Sequence, residues 1–507
     1  MIQSSCKIAG MKFSLMLRYA GQIVFGYLLL LSISYGEQAY QPLFTILVGV
    51  LLWLAVKSIH ACYRAYGNTR ITRFLLAIVL LGGALRFLWA VCVPTRPDND
   101  FLFFHETALA LSQGSPALFK NMGYPLLLSV AYRVYPDALT GRLVNALSGT
   151  LSIWFVYLTS AKLINRRTGL IAAFLLAIYP GEILMVNILG VEVVATTAIL
   201  ATTFFLVRAP RNQYNFSFVP ILLAGLCYGL GLAIRSSFVF YLPAILLWVL
   251  FIASLDLEKL VKCLGTLLAG VTVGLGVVVL GYSLIAGYLT ADPLKTQDPV
   301  PILTGTNVEA LGLWNDKDVN LYLSWPASQR DELARKEAFN RIKTNPTGFL
   351  SIIPGKIAIL MGSNSYPIYW NVEGLDWVDW SQGAPRIIFI EAGTLISQAI
   401  YIFIWFFAFL AFKHHNSLSL PLAVVFVLVL STLLPHIILE VQGRYQHYLM
   451  PFIVMLAAYG ITGSDKVPSP KEASSPPSLE QAPRAPEAPE TAEQADESHK
   501  IIPVAPC

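Results

Sequence analysis

The feature that most constrains this chain is a series of apolar runs that recurs from near its start to about residue 462. Runs of roughly 20 apolar residues are long enough to cross the hydrocarbon core of a bilayer as helices. A helix is suited to that environment because it satisfies its own backbone hydrogen bonds. The chain is 56% hydrophobic and only 13% charged, which sets it apart from soluble proteins of ordinary composition. We therefore predict an all-α polytopic membrane protein.

Hydropathy windows predict about 12 transmembrane helices. The predicted spans lie near residues 19–34, 42–56, 74–93, 142–163, 168–187, 192–208, 216–234, 237–254, 262–286, 386–412, 418–438 and 446–462. The first span follows Lys7, Lys12 and Arg18, as the apolar part of a signal peptide would. A convincing small-residue cleavage site is missing after it, so we interpret this run as a membrane anchor.

The short connections that are rich in basic residues alternate along the series of predicted spans. The lysines and arginines of the even-numbered loops are Lys57, Arg64, Arg70, Arg73, Lys162, Arg166, Arg167, Arg208, Arg211, Lys259, Lys262 and Lys413. Positive charges in short loops mark the cytoplasmic side of a membrane. Both termini are therefore predicted to be cytoplasmic. The odd-numbered loops then face outward, into the periplasm of a bacterial inner (plasma) membrane.

The spans group into three membrane parts. Residues 1–73 carry two N-terminal transmembrane helices and a basic cytoplasmic loop. Residues 74–286 form a transmembrane core, whose first outer loop covers residues 94–125, and residues 386–463 supply the C-terminal helices.

Two parts lie outside the membrane. Residues 287–385 form the one outer segment that is large enough to be a soluble module. Residues 464–507 are rich in Pro, Ala, Glu and Ser and poor in large apolar side chains. Such a composition cannot bury enough surface to repay ordering, so this cytoplasmic tail is predicted to be disordered.

Ionisable residues collect on the predicted outer side. Asp98 and Asp100 directly precede a helix-like run over residues 101–112, and Arg235 lies in the tight turn between the seventh and eighth spans. Charge at a membrane boundary is costly unless it has a function or a partner. Asp100 could serve as the N-cap of the helix that follows it, and Arg235 could simply extend to the interface. Both alternatives stay open beside a functional one.

Motifs for several reaction types are missing. No Walker loop, dinucleotide fingerprint, HExxH motif or nucleophile elbow occurs in a credible context. We therefore expect no nucleotide or redox cofactor. The net charge of +5 is modest and is placed in membrane loops, so no nucleic-acid partner is expected.

The outer acids and arginines suit transfer of a sugar from a lipid phosphate. A glycosidase needs two carboxylates because its leaving group must be protonated, whereas phosphate is already a weak base. One general base for the acceptor hydroxyl then suffices. Arginine suits the departing phosphate because its fork matches phosphate oxygens. Arg235 and Arg444, two outer-face arginines at predicted helix ends, are therefore predicted to bind the donor phosphate.

Several short motifs follow one another in a recognisable order. They are Asp100, Glu106–Ala110, Gly114 and Gly123-Tyr124-Pro125 in the first outer loop, then Tyr179-Pro180 leading to Glu192, Gly229–Arg235, Gly305-Thr306-Asn307, Trp314-Asn315-Asp316, and Arg444-Tyr445 before Pro451. This order resembles the GT-C glycosyltransferases, in particular bacterial relatives of protein O-mannosyltransferases and of the aminoarabinose transferase of lipid A. The resemblance covers about residues 74–462, and His105 lies one place off the family pattern.

The resemblance implies a GT-C type helix bundle that transfers a hexosyl or pentosyl group with inversion. The donor would be a polyprenyl-phosphate-linked sugar in the membrane, and the acceptor a glycan, lipid or protein. Asp100 would be the catalytic base or a metal-adjacent carboxylate, and Asp98 a possible second carboxylate. Their division of roles stays open because they are not an adjacent Asp-Glu pair. Other candidate site residues are Glu192, His105, Tyr124, Glu440 and Tyr445; a divalent metal ion is compatible with the site, with no ligands assigned.

Two other functions use similar substrates. A transporter or flippase of lipid-linked sugars would place ionisable residues near the membrane midplane and often shows internal repeats. Here the ionisable residues lie at the outer ends of the spans, and the halves show no repeat. An O-antigen polymerase or ligase would depend mainly on arginines of its large outer loop, so dependence on Asp100 distinguishes it.

Single-cysteine labelling tests the predicted topology. A membrane-impermeant maleimide added to intact cells should modify a cysteine placed in residues 287–385 and should not modify one placed in residues 464–507. Permeabilised cells provide the control, because both positions should then react. The reverse pattern of labelling would contradict the charge-based orientation.

Overall fold

A computed structural model of the chain describes residues 2–35, 41–66, 70–209, 217–253, 256–290, 292–294, 299–373, 375, 383–414 and 420–462. The predicted disorder of residues 464–507 concerns a part of the chain outside these described residues. Within them, no β-strand is present, and one isolated antiparallel bridge joins Thr95 to Leu375.

The described residues form 20 α-helices. They are α1 (Ile2–Ser34), α2 (Gln41–Tyr66), α3 (Ile71–Cys92), α4 (Asp100–Ser112), α5 (Gly123–Tyr132), α6 (Ala138–Leu163), α7 (Arg166–Ile178), α8 (Pro180–Leu184), α9 (Glu192–Arg208), α10 (Val219–Ile234), α11 (Leu242–Ala253), α12 (Leu257–Ala286), α13 (Val300–Gly305), α14 (Asp316–Ser324), α15 (Arg330–Thr344), α16 (Pro346–Met361), α17 (Tyr366–Glu373), α18 (Ala384–His414), α19 (Leu420–Ile438) and α20 (Met450–Thr462). Short 3-10 turns lie at Met185–Asn187, Ser236–Tyr241, Asp292–Leu294 and Gly443–Leu449.

Six helices in the described part of the chain are long and apolar enough to cross a membrane. They comprise Leu15–Ser34 of α1, the whole of α2, α3, α6 and α12, and Ala384–Lys413 of α18. A seventh span results if α7 and Pro180–Asn187 are counted as one helix bent by 58°. The five remaining predicted spans coincide with the shorter helices α9, α10, α11, α19 and α20. The predicted all-α polytopic fold class is confirmed.

A buried arginine stabilises the bend between α7 and α8. Pro180 has no backbone N–H, so the carbonyl of Leu176 lacks the donor that an unbroken helix would supply. The Arg86 guanidinium of α3 donates instead to the carbonyls of Leu176 (3.0 Å) and Ala177 (3.2 Å). Arg86 is fully buried. The bend therefore costs little backbone hydrogen bonding, and it directs the chain toward the start of α9.

Glycines let α10 and α12 pack in backbone contact. Gly225 and Gly229 on α10 face Gly270 and Gly274 on α12. Both pairs have the four-residue spacing that brings small residues onto one face, a common device between membrane helices. A Cβ atom at Gly274 would lie only 2.5 Å from the carbonyl oxygen of Leu226. This close packing fixes α10, whose C-terminal end carries Arg235.

The segment formed by residues 299–373 is joined to the end of α19 by a buried lysine and by a backbone hydrogen bond. Lys356 of α16 donates to the carbonyls of Gly305 (2.7 Å) and Ile437 (2.9 Å). The backbone N–H of Glu440 donates to the carbonyl of Pro301 at 2.8 Å. Inside the segment, Asp318 of α14 pairs with Arg341 of α15 at 2.8 Å. Helices α13 to α17 therefore stay attached to the membrane bundle at one end.

The two N-terminal helices, which the family resemblance left without a role, pack against α18. Arg18 and Gln22 of α1 both donate to the carbonyl of Phe412, at 3.3 Å and 3.1 Å. Gln398 of α18 donates to the carbonyls of Ser32 (2.7 Å) and Gly362 (2.9 Å). These contacts give α1 a structural role as a brace for α18.

Two alanine substitutions on α12 test the glycine packing. Gly274→Ala should destabilise the protein by about 1–3 kcal/mol, because the added methyl group overpacks a backbone contact. Gly276→Ala is the matched control, since its Cβ would meet no described atom within 4 Å. It should be neutral or stabilise the helix by about 0.5–1 kcal/mol. Thermal unfolding in detergent measures both changes, and equal midpoints for the two variants would contradict the packing argument.

Candidate active site

Helix ends supply the charged groups that meet at one end of the bundle. Asp100 is the first residue of α4 and Glu192 is the first residue of α9. Arg235 is the C-cap residue of α10. The helix dipole favours carboxylates at N-termini and cations at C-termini. Each of these three charges therefore sits where its own helix stabilises it.

The predicted N-cap role of Asp100 is wrong. Helix α4 begins at Asp100 itself, and Asn99 is the N-cap residue, with no side-chain cap hydrogen bond. Asn99 has a φ of 49°, a conformation that places it in a sharp turn between the two acids. Asp100 therefore lies one position further into the helix than the sequence pattern indicated.

Glu192 lies at the centre of the charged cluster. Its carboxylate is 1% exposed, and its Oε1 atom accepts a hydrogen bond from Arg235 at 2.9 Å. Arg444 places its Nε atom 3.6 Å from the same oxygen. A buried carboxylate needs such partners, because leaving it unpaired costs several kcal/mol. The α9 N-terminus, the α10 C-terminus and the 3-10 turn at Gly443–Leu449 are therefore tied together by one carboxylate.

Asp100 is held between two cations. Its Oδ1 atom is 2.7 Å from Nζ of Lys120, and its Oδ2 atom accepts a hydrogen bond from Arg444 at 3.1 Å. Burial alone would raise the pKa of Asp100, but the charges and hydrogen bonds of Lys120 and Arg444 outweigh burial and lower that pKa below its usual value. The Asp100 carboxyl is therefore ionised at neutral pH.

These groups line a cavity of about 420 Å³ at the end of the bundle. Asp100, Lys120, Glu192, Arg235 and Arg444 form a charged wall. Apolar side chains line the rest of the cavity, among them Phe104, Val239, Phe240, Ile302 and Leu439. Residues from several of the predicted outer loops contribute to this lining. The cavity therefore combines a site for an anion with surface that suits an apolar chain.

A second group of polar side chains lies around Tyr445. The Tyr445 hydroxyl reaches Oε1 of Glu440 at 3.4 Å, and Gln442 donates to the same oxygen at 2.6 Å. The His436 ring lies 5.3 Å from the Tyr445 ring, and the Arg235 guanidinium lies over that ring at 5.0 Å. Burial raises the pKa of Glu440, although Gln442 and the nearby cations offset part of this effect.

Three predicted site residues lie away from the cavity lining. Asp98 is exposed, and its carboxylate accepts hydrogen bonds from Asn99. The His105 ring contacts the Tyr132 hydroxyl at 2.8 Å. Tyr124 is buried and donates to Asn145 at 3.1 Å, so it supports the packing behind the site.

Sequence reasoning missed three ionisable residues that line the cavity, namely Lys120, Arg335 and His436. Lys120 could have been found, because it is a basic residue in a predicted outer loop, and that argument singled out Arg235. Arg335 lies on the polar helix α15. Charged residues are common along this helix, so the sequence does not single out Arg335. His436 lies near the end of an apolar span, so only its tertiary contacts indicate a site.

The sequence left open whether the site binds a divalent metal ion. Throughout the described residues, no group of three or more His, Cys, Asp and Glu side chains is arranged to hold a metal ion. The cavity carboxylates are instead paired with cations or with hydrogen-bond donors.

Comparison with known families supports a GT-C type membrane protein. Residues 123–282 match the family model described as dolichyl-phosphate-mannose-protein mannosyltransferase. The match covers α5 to α11 and most of α12, including Glu192 and Arg235. The predicted relationship to the GT-C glycosyltransferases is confirmed. Among curated proteins, none matches this chain.

Solved structures give distant likenesses. The archaeal oligosaccharyltransferase AglB from Archaeoglobus fulgidus, in complex with an inhibitory peptide and a dolichol-phosphate, aligns with a TM-score of 0.44 at 15% identity, over 78% of this chain and 50% of AglB. The apo form of the Archaeoglobus fulgidus oligosaccharyltransferase aligns with a TM-score of 0.44 at 13% identity, over the same shares. This chain spans about half the length of these enzymes. At such TM-scores the likeness carries no argument about activity.

The lowered pKa of Asp100 predicts how stability depends on pH. A carboxyl whose pKa is lower in the folded state stabilises the protein above its unfolded pKa of about 3.9, and this contribution is lost as the pH falls through the folded pKa. Thermal unfolding between pH 5 and pH 3 should therefore show a smaller loss of stability for Asp100→Asn than for wild type. Asp98→Asn is the matched control, since Asp98 is exposed and paired with neither cation. Parallel pH profiles for Asp100→Asn and wild type would contradict the ion-pair assignment.

Proposed function

We propose that this protein is an inverting glycosyltransferase that moves a sugar from a polyprenyl-phosphate donor to an acceptor hydroxyl at the outer face of a bacterial inner membrane. The observation that carries the proposal is the meeting of Lys120, Arg235 and Arg444 with two carboxylates in one cavity. The partial match to a family named for a dolichyl-phosphate-mannose donor supports the same donor chemistry.

The three cations suit a departing phosphate. A polyprenyl-phosphoryl sugar carries one negative charge, and its phosphate gains a second as the bond to the sugar breaks. Arg235 and Arg444 lie beside Glu192, and Lys120 lies beside Asp100, so each cation can turn from a carboxylate to a phosphate oxygen within the cavity. Stabilising charge that develops on the leaving group is among the strongest catalytic effects.

Asp100 is the proposed general base. In the absence of donor its pKa is held low by Lys120 and Arg444, which makes it a weak base. A bound donor phosphate competes for these two cations, so the carboxylate regains basicity when the donor is in place. Asp100 then accepts the proton of the acceptor hydroxyl as that oxygen attacks the anomeric carbon. The phosphate leaves from the opposite side of the carbon, so the configuration inverts.

Glu192 is proposed to position the arginines. Its carboxylate is buried and touches both guanidinium groups, so it holds them in the cavity when no donor is present. The apolar lining from Val239, Phe240 and Ile302 offers a surface for the first isoprene units of the donor. Dependence on Asp100 separates this proposal from a polymerase or ligase that depends on outer-loop arginines, and turnover separates it from a flippase.

Asparagine in place of Asp100 tests the proposed base. Asp100→Asn keeps the size of the side chain but cannot accept a proton at neutral pH, and loss of general-base assistance typically lowers a rate by about 100- to 10,000-fold. The assay is sugar transfer in membranes from a polyprenyl-phosphate sugar, normalised to the amount of folded protein. Asp98→Asn is the control and should keep most of the activity. Wild-type turnover by Asp100→Asn would exclude Asp100 as the base.

A substitution of Arg235 should give a different kinetic result. Arg235→Lys keeps the charge but loses the two-pronged contact with phosphate, so it should raise the KM for donor while keeping measurable turnover. Arg235→Ala should raise the KM for donor and also lower turnover, because it leaves Glu192 without its nearest cation. If both variants used donor as well as wild type does, the assignment of Arg235 to the donor phosphate would be wrong.

A further inference from the structure

We propose that His436 and Glu440 form a hydroxyl-binding wall of the cavity, where they accept hydrogen bonds from the sugar of the donor. The proposal rests on the proposed function and assigns a sugar subsite to the same cavity. Both residues line the cavity, and both lie around Tyr445. The three cations of the charged wall, which we call the cationic wall, are Lys120, Arg235 and Arg444. They do not belong to this sugar subsite.

The hydrogen bonds of His436 define what its ring can offer. Its Nδ1 atom lies 2.7 Å from the carbonyl oxygen of Thr432, and a carbonyl only accepts, so Nδ1 carries a proton. In a neutral imidazole the other nitrogen is then a hydrogen-bond acceptor. No described residue bonds to Nε2, although the side chain is 7% exposed overall. Since the residue borders the cavity, Nε2 is an acceptor available to a ligand there.

Glu440 offers a second acceptor in the same part of the cavity. Gln442 and Tyr445 both direct their hydrogen bonds to Oε1, which leaves Oε2 without a bond from any described side chain. The carboxyl is 3% exposed and its backbone is fixed by the bond to Pro301. A rigid, nearly buried acceptor with one oxygen unused is suited to a hydroxyl group.

Chemical complementarity assigns this wall to the sugar. Acceptor atoms attract hydroxyl groups and repel a phosphate, whereas the cationic wall does the opposite. Tyr445 borders both walls, because Arg235 lies over its ring at 5.0 Å and His436 lies beside it at 5.3 Å. The sugar of the donor is bonded directly to its phosphate. A phosphate on the cationic wall therefore brings the sugar hydroxyls next to His436 and Glu440.

A matched pair of substitutions separates a sugar contact from a structural role of His436. Asparagine can keep a donor near Nδ1 for the Thr432 carbonyl but removes the acceptor at Nε2. Glutamine places an amide near the Nε2 position but loses the hydrogen bond to the Thr432 carbonyl. A sugar contact predicts that His436→Gln binds better than His436→Asn, and a purely structural role predicts the reverse order.

The binding experiment compares two probes on the full-length protein in detergent, without acceptor. Farnesyl phosphate carries no sugar, and farnesyl-phosphoryl-mannose carries one, with farnesyl-phosphoryl-glucose as a second sugar probe. We expect His436→Asn and Glu440→Gln each to weaken binding of a sugar-bearing probe by roughly 3- to 10-fold, as expected for one lost hydrogen bond. Binding of farnesyl phosphate should not change, and His436→Gln should stay near wild type with both kinds of probe.

Four outcomes would overturn the proposal. Equal weakening of farnesyl phosphate and the sugar probes would show a structural defect. Unchanged binding of sugar probes with lost transfer would assign the wall to the acceptor hydroxyl instead. If wild type bound none of the probes, the proposed donor class would fail, and this subsite would fail with it. Wild-type binding of sugar probes that is insensitive to these variants would refute the subsite alone.

Discussion

The buried carboxylate of Glu192 is the interaction on which the candidate site depends. Breaking a buried ion pair by removing one partner typically costs about 3–5 kcal/mol, because the remaining charge stays uncompensated. Glu192 contacts Arg235 and Arg444, which come from parts of the chain that are distant in sequence. The cost of leaving it unpaired therefore orders two helix ends and one 3-10 turn around a single point. Lys120 and Asp100 extend the same network to the first outer loop.

The network is possible because the packing of the membrane helices brings several helix ends together at one cavity. The bend at Pro180 shortens one span, and Arg86 satisfies the carbonyls that the bend leaves free. The glycine contacts between α10 and α12 fix the position of α10, whose C-terminal end carries Arg235. Polar groups buried in the membrane cannot form hydrogen bonds with water, so they must find partners within the protein. The ends of α4, α9 and α10 at the cavity each carry a charge of the sign that the helix dipole favours.

The cavity has two chemically different walls, and this division connects the structure to the proposed reaction. Lys120, Arg235 and Arg444 suit a phosphate whose charge grows as it leaves. His436 and Glu440 suit groups that donate hydrogen bonds. Asp100 stands on the cationic side, where its basicity depends on what the cations bind. A donor that is anionic at one end and rich in hydroxyls at the other would use both walls at once.

Local patterns in the sequence were enough to predict much of this arrangement. Apolar periodicity placed the membrane helices, and alternating loop charge grouped the first outer loop, Glu192, Arg235 and Arg444 on one side before any contact was known. These features depend on short stretches of chain and on the solvent around them. Arg235 and Asp100 could be singled out because a charge beside an apolar helix is costly unless it has a function or a partner.

Tertiary structure alone decided which of these residues form the site. Asp100 pairs with Arg444, which lies 344 positions along the chain, and no local rule predicts a contact of that separation. The same packing left Asp98 and His105 outside the cavity lining, placed Lys120 and His436 in it, and made Asn99 the N-cap residue of α4. A sequence pattern records what each helix would bury or expose. Which charges meet depends on how the helices pack, and that is determined by steric fit along their whole length.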